Sequence, residues 1–508
     1  MRGIRVRQYR IRLRYSTIVN YVSMLYRMLV AVGFVVIVAR RLSIREFGLW
    51  GIIFSIASML TSPVQLWIYW VQRFYSRGYD EASGTGLILT FAYWIPSSLV
   101  YLLIAIFEER ILGWGFWYVV LGLPLLLLNV LDNYIMGIAS VVKPELRGYR
   151  GFIYNTLRLF LAYILIVELK TGLTGALLAI EAAMLVGIIY TSLILTTMRA
   201  LSLKFSKNLV FQWISAFYVP FLMVLQSFLR GGLRAIVSWV TGSEIPIAYL
   251  NVGFASEAPL LQASQATTPA LYAKILQERR GSDVEVSLRL FLLFTSFTLI
   301  SFAALAKPVA SLYNPAYLGA YLLIPLVAVY ATFNSFLNVY ATTIHGAVSV
   351  DSRGIRSHKE IVKSYLFKVP LLRLMGLIIS YGLAIPLILL VKGDHLLEAT
   401  VAVLALIVGS TPLLAYFHRV AVSLVPHKSP YREFASSLFS SGLVFMYYFT
   451  SGATNLVISE FWEDAPLLGL HLTVAIVIYI VTKYLTSSWF RNLVKKGLEQ
   501  ILRFSSLS

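Results

Sequence analysis

Long apolar runs separated by short polar stretches dominate the chain. Each run is close to the roughly 20 residues that an α-helix needs to cross the hydrocarbon core of a bilayer, rather than the ten or so alternating residues of a barrel strand. The pattern predicts an all-α polytopic membrane protein with about 14 transmembrane helices. The predicted segments 1 to 14 are, in order, 18–39, 48–71, 86–107, 117–141, 152–169, 172–196, 212–239, 246–271, 286–306, 318–343, 366–391, 396–418, 434–451 and 467–487.

Composition supports the same class. Of the 508 residues, 58% are hydrophobic and only 13% are charged, whereas soluble domains carry about 25% charged residues. So little charge excludes a large soluble enzyme, a disordered chain and a fibre. The chain has no cysteine, which excludes disulfides and thiolate chemistry. We expect no metal site and no cofactor, and the sequence leaves open whether Na⁺ or H⁺ serves as a coupling ion.

The net charge of +20 follows the membrane topology. With the N-terminus in the cytoplasm, most Lys and Arg fall in cytoplasmic stretches and few in outside loops, so the bias predicts cytoplasmic N- and C-termini. Because these residues are spread over many stretches rather than gathered in one domain, we expect membrane lipids around the protein and no nucleic-acid partner.

A weak internal repeat relates segments 1–6 to segments 7–12 in the same orientation, leaving segments 13 and 14 as additions. Parallel repeats of this kind place a substrate site in the cavity between two lobes. The aligned stretches are 46–58 with 244–256, 123–133 with 324–334, and 155–166 with 370–381. The predicted organisation is a basic cytoplasmic arm (1–17), an N-lobe (18–200), a C-lobe (201–425), segments 13–14 (426–488) and an amphipathic cytoplasmic tail (489–508).

Several arginines lie within the predicted segments, where a charge costs at least ~2.5 kcal/mol. Arginine suits a pyrophosphate because its fork binds two oxygens and it stays charged in a low dielectric. The alternatives are contacts with helix carbonyls or a structural acid and, for Arg158 and Arg373, snorkelling to lipid headgroups. The candidate substrate-binding cations are Arg27, Arg158, Arg230, Arg234 and Arg373.

Acidic and amide side chains form polar stripes on the same segments. Glu257 either pairs with Arg230 or Arg234 or binds a coupling cation, and we predict the ion pair. The stripes on segments 4 and 10 line a wet cavity or form hydrogen bonds between helices. Lys483 is predicted to snorkel. The apolar side chains of the tail are predicted to face lipid, namely Trp489, Phe490, Leu493, Leu498, Ile501 and Leu502. The candidate cavity residues are Asp132, Asn133, Glu257, Gln265, Asn334 and Asn338.

The stretch VARRLSIREFGLWG (38–51) resembles the ARxLGPxxFGxY junction of polysaccharide and lipid-linked oligosaccharide flippases. Arg158, Arg234 and Arg373, and the stretch TPALYAK (268–274), also resemble features of the Wzx-type branch of the multidrug/oligosaccharidyl-lipid/polysaccharide (MOP, MATE-like) exporter superfamily. The chain departs from that pattern at Ser43-Ile44, where the family has Gly-Pro, and at Gly232, where a polar residue is frequent. The resemblance implies two six-helix lobes in a V and alternating access.

The function that the resemblance implies is flipping of a polyprenyl-(pyro)phosphate-linked oligosaccharide to the outer leaflet of the plasma membrane, for cell-surface polysaccharide or glycoprotein glycan synthesis. We expect a monomer and not an enzyme. The alternatives are a MATE-like multidrug or cation antiporter, a flippase for peptidoglycan precursors and, with less support, a membrane glycosyltransferase or polymerase. Arginines outnumber acids within the segments, which favours an anionic cargo, and the short outer loops disfavour a glycosyltransferase.

Overall fold

A computed structural model describes residues 13–76, 78–215, 217–348 and 358–495, and these ranges are helical without any strand. Short 3-10 or π turns interrupt the helices at 62–64, 163–168, 254–256, 315–322 and 453–455. The helices are α1 Leu13–Arg41, α2 Ile44–Thr61, α3 Gln65–Ser76, α4 Glu81–Leu112, α5 Phe116–Val120, α6 Leu123–Val142, α7 Leu146–Ala162, α8 Gly172–Thr197, α9 Lys207–Ser215, α10 Tyr218–Thr241, α11 Ile245–Gly253, α12 Glu257–Glu278, α13 Gly281–Ala304, α14 Ala306–Tyr313, α15 Leu323–Ala347, α16 His358–Lys363, α17 Tyr365–Leu390, α18 His395–Leu424, α19 Tyr431–Thr450 and α20 Phe461–Thr486.

Every predicted segment coincides with one or two of these helices. In the part of the chain that the structure describes, 11 helical stretches are long and apolar enough to cross a membrane. The helices of segments 1, 8 and 13 (α1, α12 and α19) lie outside that set. The prediction of an all-α multi-pass membrane protein is therefore confirmed.

The start of α2 explains one departure from the family pattern. The Ser43 side chain accepts a hydrogen bond from the Glu46 backbone N–H at 3.2 Å, and the Glu46 carboxylate accepts one from the Ser43 N–H at 2.9 Å. This reciprocal capping box satisfies two backbone donors that would otherwise have no partner at the helix start. Ser43 therefore starts α2 by hydrogen bonding.

The structure divides into two compact units. The first contains residues 1–251 and 370–402, and the second contains residues 252–369 and 403–508. In the first unit α1 packs along α7, α7 along α8, and α2 along α10. In the second, α12 packs along α15, and α19 packs against α13 and α20. The lobe boundaries drawn from the repeat remain a prediction.

Close backbone approach joins α2 to α10 in the first unit. Ser55 Oγ donates to the Gly231 carbonyl at 2.6 Å and accepts from the Ala235 N–H at 3.1 Å. A Cβ at Gly231 would lie 2.7 Å from Ser58 Oγ and 3.2 Å from the Met59 backbone nitrogen, so a larger residue would press on α2. Small residues commonly let membrane helices approach in this way.

Two stretches that the repeat aligns also meet in the first unit. The Asn251 side chain donates to the Phe47 carbonyl at 3.1 Å. Arg45 forms an ion pair with Glu244, whose carbonyl oxygen lies where a Cβ at Gly48 would point. The start of α2 is therefore held against residues 244–251.

Lys483 occupies a buried polar site in the second unit. Its side chain is 1% exposed, its Nζ donates to the Glu433 carbonyl at 3.1 Å and to Ser436 Oγ at 3.2 Å, and it lies 3.6 Å from the Glu433 carboxylate. The prediction that Lys483 snorkels is wrong, because α19 supplies a carboxylate and a hydroxyl where the amine sits. The ion pair joins α19 to α20.

Phe490 follows α20 and is 8% exposed. It belongs to a core cluster of the second unit that includes Tyr448 of α19 and Ala475 and Tyr479 of α20. The prediction that Phe490 faces lipid is therefore wrong, because the neighbouring helices cover its ring. Residues 496–508 of the predicted amphipathic tail lie outside the described residues.

Candidate functional site

A polar cleft of about 360 Å³ opens in the first unit, between α2, α3 and α6. Pro63 lies in the short 3-10 turn 62–64 that links α2 to α3, and side chains of both helices line the cleft. Gln65 Nε2 donates to Asn133 Oδ1 at 3.4 Å across the cleft. The walls are formed by Phe54, Ser58, Thr61, Ser62, Gln65, Asn129 and Asn133.

The amides of α6 present acceptors as well as donors to the cleft. Asn129 Nδ2 donates to the Leu125 carbonyl at 2.8 Å, and Asn133 Nδ2 donates to the Asn129 carbonyl at 2.9 Å. Each asparagine side chain uses one N–H in the bond to the preceding helical turn and keeps a second N–H. The side-chain oxygens of Asn129 and Asn133 are the acceptors on this wall of the cleft. The lining is neutral and polar, which suits hydroxyl-rich groups such as sugars.

Four arginines of the first unit form the arginine cluster: Arg27 on α1, and Arg147, Arg150 and Arg158 on α7. Hydrogen bonds between α1 and α7 fix how these two helices are aligned along their length. Ser23 Oγ donates to the Gly148 carbonyl at 2.9 Å, and the Tyr26 hydroxyl lies 2.7 Å from Thr156 Oγ1. Arg27 is thereby held within electrostatic range of the three arginines of α7.

Arg158 is held by neutral groups. Its guanidinium carbon lies 4.4 Å from the centre of the Phe34 ring and 5.1 Å from that of Tyr154. It also donates to Asn155 Oδ1 at 3.1 Å. Cation–π contacts and an amide hold the guanidinium in place while leaving its charge uncompensated.

Arg150 carries the ion pair of the cluster. Its Nη2 lies 2.7 Å from Asp132 Oδ1 on α6, and the two side chains are 14% and 16% exposed. Within the described residues, Arg27, Arg147 and Arg158 form no ion pair with a carboxylate. The cluster therefore combines four cations with one paired acid.

The structure brings Arg27, Arg158 and Asp132 into the cluster and Asn133 into the cleft. The other predicted cations of the first unit lie on α10 and α17. Arg230 is exposed, and Arg234 and Arg373 are half-buried. The Tyr381 hydroxyl of α17 donates to the Leu229 carbonyl of α10 at 2.6 Å, which joins these two helices.

The remaining predicted cavity residues belong to the second unit. Glu257 is half-buried and begins α12, which packs along α15. Asn334 and Asn338 are half-buried on α15, and Asn334 Nδ2 donates to the Tyr330 carbonyl at 3.3 Å. The side chain of Gln265 is outside the described part of the structure. The pairing of Glu257 with an arginine stays a prediction.

Sequence reasoning missed Arg147 and Arg150 as site residues, because it counted both as topology-determining charges at the cytoplasmic end of segment 4. The available signal was an intramembrane acid followed by a basic residue at the start of the next helix. The partner of Glu181 was also missed. The Glu181 carboxylate lies near the backbone N–H of Leu125 at the start of α6.

No family model matches the sequence, and no curated protein matches it. Solved structures match the fold. The lipid II flippase MurJ, in an inward closed conformation, aligns with a TM-score of 0.64 and 13% identity over 94% of this chain and 100% of that chain. Two MATE-family multidrug resistance transporters of the MOP superfamily align over 80% of this chain at 17% identity. The inward-facing one has a TM-score of 0.54 over 98% of its length, and the outward-facing one 0.55 over 96%.

These matches confirm the predicted fold class, since the chain shares the fold of these MATE and MurJ structures. The structures named here are transporters and a flippase, and none of them is an enzyme. Their identities to this chain are too low to carry over a substrate.

Proposed function

We propose that this chain is a membrane transporter that flips a polyprenyl-(pyro)phosphate-linked oligosaccharide from the cytoplasmic to the outer leaflet of the plasma membrane by alternating access. The observation that carries the proposal is the arginine cluster, in which three of four guanidiniums have no carboxylate partner among the described residues. A surplus of cations in a membrane-spanning unit favours an anionic cargo.

The chemistry of the cargo explains why such a cluster is useful. A pyrophosphate carries at least two negative charges, and transfer of isolated charges into hydrocarbon costs tens of kcal/mol. Guanidiniums replace the lost water by forming two parallel hydrogen bonds to phosphate oxygens. Arg27 and Arg158 are the best placed for this role, since among the described residues each meets neutral or like-charged groups. The neutral cleft beside α6 suits the sugar hydroxyls.

The second candidate is a flippase for a peptidoglycan-precursor type of lipid. It is supported by the lipid II flippase structure, which aligns with 94% of this chain, whereas the MATE structures align with 80%. A MATE-like antiporter for organic cations has less support, because the arginine cluster would repel its cargo. A glycosyltransferase or polymerase has least support, since the matched structures named above are not enzymes.

A reconstituted flipping assay tests the proposal. Purified protein in liposomes is offered a fluorescent polyprenyl-pyrophosphate oligosaccharide, a pyrophosphate lipid with a peptidoglycan-precursor headgroup, and a fluorescent organic cation. We expect the oligosaccharide lipid to reach the opposite leaflet fastest. Faster flipping of the peptidoglycan-type lipid favours the second candidate, and movement of the organic cation alone overturns the proposal.

Matched variants connect the assay to the cluster. Arg27→Ala combined with Arg158→Ala removes two guanidiniums without a carboxylate partner and should reduce flipping strongly. Arg491→Ala removes an exposed arginine in the helical stretch after α20 and should leave flipping unchanged. Equal loss in both variants would show that the effect is a general one of positive charge.

A further inference from the structure

Asp132 is a carboxylate within a membrane span, and a partner side chain compensates its charge. It lies in the middle of α6, a helix long and apolar enough to be part of a membrane span. An intramembrane carboxylate is costly unless it is protonated, binds a cation or pairs with a basic residue. Here the pairing is with Arg150 of α7, at 2.7 Å.

Gly187 of α8 leaves space for the Arg150 side chain to extend towards Asp132. A Cβ at Gly187 would lie 3.3 Å from Arg150 Cγ and 3.5 Å from Arg150 Nε. The distance to Cγ is tighter than most real Cβ contacts and the distance to Nε is an ordinary van der Waals contact, so a residue larger than alanine would press on the side chain. The Tyr154 ring lies on another side of the guanidinium, with its centre 5.3 Å away. The arginine is therefore held between α7 and α8.

Three other charged groups near α6 either have their own contacts or are cations. Arg147 of α7 acts on Asp132 together with Arg150. The α8 acid, Glu181, lies near the start of α6, and the α4 acid, Glu108, accepts a hydrogen bond from Trp239. The α3 side chains along α6 include Gln65 and Gln72, which bond to Asn133 and Ser140. Arg150 is thus the group that compensates Asp132.

We propose that Arg150 is a tethered counter-cation, which occupies the place at Asp132 that a monovalent cation or a proton would otherwise take. Asp132 is then a latent cation site. The side chain is covalently attached and cannot leave during a cycle, so Asp132 exchanges no ion with solvent. It follows that transport is not driven by cation exchange at Asp132, and this consequence rests on the proposed function. The existence of the latent cation site does not rest on the proposed function.

The test measures cation binding to the full-length protein without any cargo. Thermal unfolding in detergent is recorded for the wild type, Arg150→Gln and Arg150→Gln/Asp132→Asn, in NaCl, in choline chloride and at lowered pH. Arg150→Gln should melt lower than the wild type in choline. Na⁺ or acidification should then restore at least about 2 °C, because a ligand that binds only the native state raises the melting temperature. The Na⁺ arm and the acid arm distinguish the two sources of positive charge.

The double variant should lose this response, and the wild type should not show it. Arg150→Lys keeps a tethered cation and should behave as the wild type. Gly187→Val displaces Arg150 without removing a charge and should acquire the same cation response, which Asp132→Asn abolishes. Lys274→Gln breaks an ion pair with an exposed lysine in the second unit, Lys274–Asp283, and serves as the control that gains no response.

Two results overturn the inference. One is an Arg150→Gln variant that responds to neither Na⁺ nor acid, or no more than the wild type. The other is a response that persists in the double variant. Neither result affects the flipping assay, so failure of the latent site and failure of the proposed function are distinguishable.

Discussion

The guanidinium of Arg158 lies 4.4 Å from the centre of the Phe34 ring, across the seam between α7 and α1. An aromatic face attracts a cation but cannot neutralise it. Arg158 is therefore oriented in advance with its charge uncompensated, unlike Arg150, which is committed to Asp132.

We expect Arg27→Ala and Arg158→Ala each to weaken binding of a polyprenyl-pyrophosphate lipid by roughly ten- to a hundredfold, since a hydrogen bond to a charged group contributes about 1.5–3 kcal/mol. Arg234→Ala should weaken binding by a similar factor if α10 lines the same substrate path. Lysine at each position should recover part of the affinity, because the charge remains while the fork is lost. The measurement is the substrate concentration for half-maximal flipping. Folded alanine variants that flip at wild-type rates would make these residues structural.

Glu257→Gln should reduce both the melting temperature and the flipping rate. The reason is the predicted ion pair with an arginine, in which loss of the carboxylate removes the partner of a guanidinium, at a cost of about 1–3 kcal/mol. Thermal unfolding and flipping are measured on the same preparation. A stable variant that loses only its dependence on Na⁺ or H⁺ would instead identify Glu257 as a coupling site.

Lys483→Met should destabilise the second unit by about 3 kcal/mol, because it leaves the Glu433 carboxylate buried without its cation. The double variant Lys483→Met/Glu433→Gln should recover much of this loss, since neither charge then remains. Unfolding in detergent provides the measurement. Lys274→Met, at a pair whose lysine is exposed, should cost less than about 1 kcal/mol. Additive losses in the double variant would contradict the proposed ion-pair coupling.

Gly231→Ala should destabilise the packing of α10 on α2 by about 1–3 kcal/mol, because the added Cβ would lie 2.7 Å from Ser58 Oγ and 3.2 Å from the Met59 backbone nitrogen. The matched control is Gly442→Ala on α19, where a Cβ meets nothing within 4 Å. That change should be neutral or slightly stabilising, since alanine favours helix over glycine. Equal effects on the melting temperature would argue against a tight α2–α10 contact.

The positions of the helices were predictable because the apolar runs depend on local composition alone. All fourteen segments coincide with helices, and the Pro63 turn that links α2 to α3 could also have been anticipated from its proline. The partners of buried charges were not predictable, since they depend on how each helix is rotated and which helix lies beside it. Lys483 illustrates this: its position near the end of a segment suggested snorkelling, whereas the neighbouring α19 provides Glu433.

The candidate site was predicted in part for the same reason. Arg27, Arg158 and Asp132 stood out as charges within apolar runs, and all three lie in or beside the arginine cluster. Arg150 was assigned to the topology signal because it is close to the end of a span. Only the packing of α7 against α8, with Gly187 making room, shows that its side chain reaches Asp132.

The ion pairs Asp132–Arg150 and Glu433–Lys483 each connect one helix to the next long helix in the chain. This arrangement bears on how the protein enters the membrane during synthesis. An aspartate near the centre of a helix, where Asp132 lies in α6, opposes insertion by about 2.5–3.5 kcal/mol. When the opposite charge follows on the next helix, both can leave the translocon together as a hairpin with the charges already paired. α6–α7 should therefore integrate as a pair, and a ribosome-nascent chain stopped before α7 should hold α6 in the bilayer poorly.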